Sequence, residues 1–157
     1  MIALGGNVAD PPAALPLAWS ACCAALDLQA SELSSLHATA PAEQASGPSF
    51  VNAVGVGWSA CDPRQGLSLL QAIEQAFGRD RPREGFHGAR PLDLDVIAIG
   101  DLHVAEPGLQ VPHPRWSARS FVVLPLAEVA PDLCDSSGLS AAELARTWLE
   151  APRGPSA

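Results

Sequence analysis

The chain has 157 residues, of which 48% are hydrophobic, and a formal net charge of −8. That length suits one domain able to bury roughly two thirds of its unfolded surface. The acidic balance argues against general nucleic-acid binding, which needs a basic surface, and no apolar run approaches the roughly 18 residues that cross a bilayer. With no basic region followed by an apolar core at the N-terminus, the expected location is cytoplasmic.

In chain order, Ile2-Ala3-Leu4 predicts a short strand ending at the turn Gly5-Gly6-Asn7. Asp10 can cap a helix over residues 11–26, with Pro11 at a first position where a missing N–H does no harm. Residues 28–37 read as a weaker extended segment, and 39–49, with two prolines and Gly47, as a loop. Phe50 to Trp58 alternates valines with glycines and Asn52, a strand pattern. Pro63 opens a helix through Phe77, with Leu67, Leu70, Ile73 and Glu74 in a three-four rhythm and Gly78 ending it.

Residues 79–91 form a loop of arginines and glycines, and 92–99 a third strand supported by Val96, Ile97 and Ile99. Pro112-His113-Pro114 is irregular, 117–126 begins as a helical turn and runs into an apolar segment, and 138–150 is a last helix. The order of elements predicts an α+β sandwich, a sheet with helices on one face, in which the second and third strands are candidates for a parallel arrangement through the helix of 63–77.

None of the four cysteines lies at zinc-ligand spacing, so reduced, structural thiols are expected. The chain has no lysine, and six of its nine arginines fall between Arg79 and Arg119. An acidic protein with its cations in one segment suggests a local anion site, although a solvated arginine face gives the same count.

The sharpest feature is Asp93-Leu94-Asp95 inside an apolar strand. Residues two apart on a strand point to one face, roughly 7 Å apart. Two carboxylates there need compensation. A divalent cation with oxygen ligands, magnesium before zinc or copper, supplies it; ion pairs with the neighbouring arginines would also supply it. A carboxylate-bound cation beside guanidinium groups suits a polyphosphate, because arginines bind phosphate bidentately and offset charge that builds in transfer. Phosphoryl-type transfer is therefore the reading the residues favour. His113, held between two prolines, is either a donor to phosphate or an ordinary loop histidine. Without lysine there is no P-loop, and no Gly-x-Ser-x-Gly is present.

The run Arg90-Pro91-Leu92-Asp93-Leu94-Asp95-Val96-Ile97 resembles the signature of the 6-hydroxymethyl-7,8-dihydropterin pyrophosphokinases. So, in the same order, do Ala3-Leu4-Gly5-Gly6-Asn7, Phe50-Val51-Asn52-Ala53, Ile73-Glu74 with Gly78-Arg79-Asp80-Arg81, and Val111-Pro112-His113-Pro114-Arg115 with Arg119-Ser120-Phe121. The likeness spans residues 2–133. It implies a ferredoxin-like α+β fold in a single domain over 1–157, usually monomeric, that takes ATP, two magnesium ions and the pterin, and makes AMP and the pterin diphosphate of folate biosynthesis. From charge and hydropathy, neither a nucleic-acid nor a membrane partner is expected.

By position, Asp93 and Asp95 match metal ligands. Arg79, Arg81, Arg90, His113 and Arg119 match residues that grip the triphosphate or steady its transfer, with Arg79, Arg81, Arg90 and Asp95 closest to catalysis. Gln71 and Glu74 match the nucleotide side. Thr39, Ala40, Phe50, Asn52 and Phe121 match the pterin pocket. The sequence departs from the family at Phe86-His87-Gly88-Ala89, where a basic residue, a tryptophan and Gly-Pro often stand, in a loop about one residue longer. Gly6 replaces the usual serine. The altered loop raises an alternative, a relative that binds pterin or nucleotide with weakened turnover.

Overall fold

The computed structural model describes residues 1–39, 48–79 and 90–151. Its centre is an antiparallel sheet of β1 (Ile2–Gly6), β2 (Gln29–Leu33), β3 (His37–Thr39), β4 (Phe50–Trp58) and β5 (Asp93–Val96). The strand order is β2-β4-β1-β5, with β3 also paired to β4. Both β4 and β5 run antiparallel to β1 and flank it. The second and third sequence-predicted strands are therefore parallel in direction, as the intervening helix suggested, but β1 lies between them.

Helix α1 (Pro11–Ala25) begins where Asp10 accepts a hydrogen bond from the Ala13 amide. Helix α2 (Pro63–Ala76) is capped by Asp62, which accepts from the Arg64 and Gln65 amides. Side chains alternate across the strands, so Ile2, Leu4 and Leu94 meet Leu15, Trp19, Leu70 and Ile73 of these two helices. Fully buried leucines such as Leu4, Leu15 and Leu70 each contribute roughly 1.5–3 kcal/mol.

The opposite face is covered too, which corrects the expectation of helices on one face. Helix α3 (Ser120–Val129) buries Val122, Val123 and Leu126 against Val54, Ile97 and Trp116, with Met1 and Ala3 packed beside them. Helix α4 (Ala141–Glu150) backs α3 and starts with a reciprocal capping box of Ser140 and Glu143. The apolar segment after residue 119 is wholly helical. Its valines fit either a helix or a strand, and burial of one helical face against the sheet decides the matter.

A two-stranded sheet of β6 (Val104–Glu106) and β7 (Leu109–Val111) stands apart from the main sheet. It turns through Pro107-Gly108, where Gly108 has φ 83°, a conformation glycine adopts without strain. Among the described residues no helix is long and apolar enough to cross a membrane, and all four cysteines are free.

Candidate active site

Strand register puts the chemistry-bearing residues on the α3 face of the sheet. Gly5 of β1 lies opposite Asp93 on one side and Asn52 on the other, and Asn52 lies opposite His37. One step along, Ala3 lies opposite Asp95 and Val54. Directly opposed residues share a face, so both carboxylates, Asn52, Phe50 and Thr39 stand on the side that α3 covers.

Asp93 is tied down. Its Oδ2 accepts from Arg90 Nη1 at 2.9 Å, and its Oδ1 accepts from Arg79 Nη1. Arg79 also pairs with Glu74, which is 1% exposed, and Glu74 Oε1 accepts from the Leu94 amide at 2.8 Å. Since β5 is a sheet edge, the α2 carboxylate satisfies a backbone donor that the sheet leaves open. Glu74 was expected on the nucleotide side. In the structure it is buried and supports the edge of β5 from beneath. Arg79, buried as well, reaches the surface of the site through Asp93. The alternative in which arginines compensate the strand carboxylates is thus seen at Asp93.

Asp95 is different. It is 42% exposed on its side chain, and Arg119 Nη1 approaches only to 3.5 Å. Arg119 sits at the N-cap of α3, and its guanidinium lies 5.6 Å from the centre of the Phe121 ring, within cation–π range. Phe121 is 39% exposed. Across the sheet, Asn52 is buried and donates to Thr39 Oγ1 at 2.9 Å, which fixes the direction of its amide. The structure brings Thr39, Phe50 and Asn52 together on adjacent strands. Ala40 and Arg81 lie outside the described residues, as does the altered run at 86–89.

His113 takes its place through its own amide, which donates to the Ile97 carbonyl at 2.8 Å. Its Nδ1 accepts from the Arg115 amide at 3.1 Å, which assigns the ring proton of the neutral form to Nε2. Burial pushes its pKa down, and Arg119 and Arg115 add to that against the opposing pull of Asp95. In its neutral form, which burial favours, the imidazole is a donor through Nε2.

A cleft of about 600 Å³ opens beside Asp95 and His113, between Leu67 and Gln71 of α2 and the hairpin residues from Ala105 to Gln110. Its size falls in the range of small-ligand sites. A second cleft of about 540 Å³ lies at the far end of β4, among Met1, Trp58 and Ile99. It is apolar, and among the described residues it is lined by one acidic side chain, Asp62, and no basic one, whereas the first is lined by Asp95, His113 and Arg115.

Two parts of this site were missed in the sequence. The hairpin wall was overlooked, although Glu106-Pro107-Gly108-Leu109 between β-branched residues is a turn signal. Asn7 was noted only as part of a motif. It is buried, its Oδ1 accepts from the Arg90 amide at 2.8 Å, and its own amide donates to the Arg90 carbonyl at 3.0 Å. This clasp brings the strands so close that a Cβ at Gly6 would lie 2.6 Å from the Pro91 carbonyl oxygen. Glycine in place of serine follows from that approach.

The profile of the 7,8-dihydro-6-hydroxymethylpterin-pyrophosphokinase family matches residues 1–131. The chain belongs to this family. The 2-amino-4-hydroxy-6-hydroxymethyldihydropteridine pyrophosphokinase of Pseudomonas aeruginosa is 38% identical over 132 residues, covering 84% of this chain and 80% of that protein. The enzyme of the same name from Haemophilus influenzae is 35% identical over 132 residues, covering 84% and 81%. The crystal structure of an HPPK-DHPS protein in complex with substrates superposes with a TM-score of 0.68 over 95% of this chain and 43% of that one, at 12% identity. At that identity the superposition speaks for the fold alone. All five motifs quoted from the sequence lie within the stretch that this pyrophosphokinase family matches.

Proposed function

We propose that this chain transfers the terminal pyrophosphoryl group of ATP to the hydroxymethyl oxygen of 6-hydroxymethyl-7,8-dihydropterin. The observation that carries the reading is the match of residues 1–131 to the pyrophosphokinase family. The convergence of Asp95 and His113 at one cleft, with Arg119 beside Asp95, supports it. In this reaction the hydroxymethyl oxygen bonds to the β-phosphorus, the bond from that phosphorus to the bridging oxygen breaks, AMP leaves, and the hydroxyl proton passes to solvent.

The nucleotide base fits the cleft between Leu67 and Gln71 on one wall and the β6–β7 hairpin on the other, which places the triphosphate toward Asp95, His113 and Arg119. His113 donates through Nε2 to a phosphate oxygen, and Arg119 and Arg90 offset the charge of the transferring group. Arg81 belongs to the same set by position in the family motif. Arg79 and Glu74 hold Asp93 and the edge of β5 in place. On the other side of Asp95 the pterin ring stacks on Phe121, with Phe50 as a wall and Asn52, steadied by Thr39, reading its polar edge. By its position in the family motif, Ala40 matches the loop backbone that meets the same ring.

The residues present fit magnesium. Asp93 and Asp95 offer carboxylate oxygens on one face, and each oxygen of Asp93 keeps a lone pair beside its arginine. Magnesium characteristically takes one or two carboxylates and completes its shell with water and substrate phosphates. When bound it neutralises phosphate charge and polarises the phosphorus under attack. Two such ions would be held by the two carboxylates of Asp93 and Asp95.

The split arrangement in which β1 separates the parallel β4 and β5 supports the ferredoxin-like description. We further read the chain as one pyrophosphokinase domain, monomeric and cytoplasmic. The test is AMP release from ATP-Mg with and without the pterin. AMP formed only with the pterin is the expected result. Nucleotide and pterin binding without AMP would overturn the reading in favour of a binding relative, and AMP or phosphate release without pterin would make the chain a hydrolase.

A further inference from the structure

One ion pair outside the groups assigned to the reaction joins the two walls of the nucleotide cleft. Arg64 stands in the first turn of α2. The spacing of Arg64, Leu67 and Gln71 puts all three along one helical face. Leu67 and Gln71 line the cleft, so Arg64 continues that wall past its end. Opposite it, Arg64 Nη2 pairs with Glu106 Oε2 at the tip of β6. Although the Glu106 side chain is 42% exposed, this oxygen is sealed from solvent and, among the described residues, has no hydrogen-bond partner. The Arg64 charge is therefore its compensation.

The hairpin depends on such ties. It consists of two three-residue strands that do not join the main sheet, and an isolated hairpin of that length is marginal in water. Leu109 and Val111 anchor its second strand in the core. The first strand and the turn line the cleft opposite α2, and the Arg64–Glu106 pair joins that strand to the helix.

We propose that Arg64 and Glu106 form a latch that fixes the hairpin against α2 and thereby sets the affinity of the cleft for ATP. This rests on the reading of the cleft as the nucleotide site. Both are positioning residues that act through the wall carrying Ala105 to Gln110 and touch no reacting phosphate. A half-exposed pair supports a modest effect.

The test compares native protein with R64E, E106R and the double reversal R64E/E106R. Calorimetric binding of ATP, steady-state kinetics and thermal melting are measured on each. Either single reversal sets like charges across the cleft mouth. The expected result is ATP binding weaker by about three- to tenfold, KM for ATP raised to match, and kcat and KM for the pterin unchanged. The double reversal is expected to recover ATP binding to within about twofold. Single reversals that melt lower yet bind ATP as tightly as native protein would show a merely structural pair and overturn the latch. A double reversal as weak as the singles would also overturn it. Native protein that turns over pterin but binds ATP unaffected by any of these changes sinks the latch alone, whereas native protein that binds no ATP sinks the latch and the reading of the cleft together.

Discussion

Asp93 and Asp95 share a face of β5 two residues apart, yet their surroundings differ. Asp93 is held by Arg90 and Arg79, and behind Arg79 stands the buried Glu74, which also fixes the β5 backbone at Leu94. Among the described residues, Asp95 has one loose ion-pair neighbour, Arg119 at 3.5 Å, and opens onto the cleft. One carboxylate is tied firmly by two arginines, and the other stands at the cleft with a looser hold. A motif that reads as two equal acidic residues thus has one member held tightly and one held loosely. The division comes from α2, which sends Glu74 beneath one carboxylate and leaves the other uncovered.

The contrast breaks most sharply at Asp95. Asp95→Ala is expected to lower AMP formation by about 10²–10³-fold, because charge stabilisation of several kcal/mol leaves the barrier, while the melting temperature stays within about 2 °C of native. A large loss of stability would show Asp95 to be scaffold after all. Glu74→Gln is the reverse experiment. Removing one partner from a buried ion pair costs about 3–5 kcal/mol, to be read as a lower midpoint in urea unfolding, with activity falling in step with the displacement of Asp93.

Gly6→Ser sets a Cβ 2.6 Å from the Pro91 carbonyl. It is expected to cost about 1–3 kcal/mol by forcing the Asn7–Arg90 clasp apart, again measured in urea. Phe121→Ala, at an exposed ring beside the Asp95 end, is expected to raise KM for the pterin about three- to tenfold, with an unchanged melting temperature.

The smallest effect concerns a tied carboxylate at the surface. Burial pushes the Glu128 pKa upward, but hydrogen bonds from the Ser35 hydroxyl and amide and from His37 outweigh it, and the net direction is down. A depressed acid contributes stability above its unfolded pKa of about 4.3. That contribution is lost as pH falls through the lower folded value. Glu128→Gln should therefore remove a slight decline in stability on acidification from pH 5 to pH 3, detectable by comparing melting curves of the two proteins.

Much of the fold was legible because its signals are local. Asp10 and Asp62 cap the helices that Pro11 and Pro63 open, and the alternation in β4 follows its two buried faces. What was missed depends on partners distant in sequence. The second layer of helices follows from Val54 and Ile97 meeting Val122 and Leu126, which no window of sequence contains. For the site, the spacing of Asp93 and Asp95 gave their shared face, and the motifs gave the family. It could not give the burial of Glu74, because a glutamate in an amphipathic helix carries no mark of which face it joins until the sheet edge beside it is known. Nor could it show Asn7 as the clasp on Arg90, since that bond spans 83 residues.

The most direct test of the central claim is to follow ATP, magnesium and 6-hydroxymethyl-7,8-dihydropterin with the native chain by phosphorus NMR. The account predicts equal amounts of AMP and a diphosphate ester attached to the pterin, with no free pyrophosphate. Release of inorganic pyrophosphate alongside AMP, or formation of ADP, would contradict it.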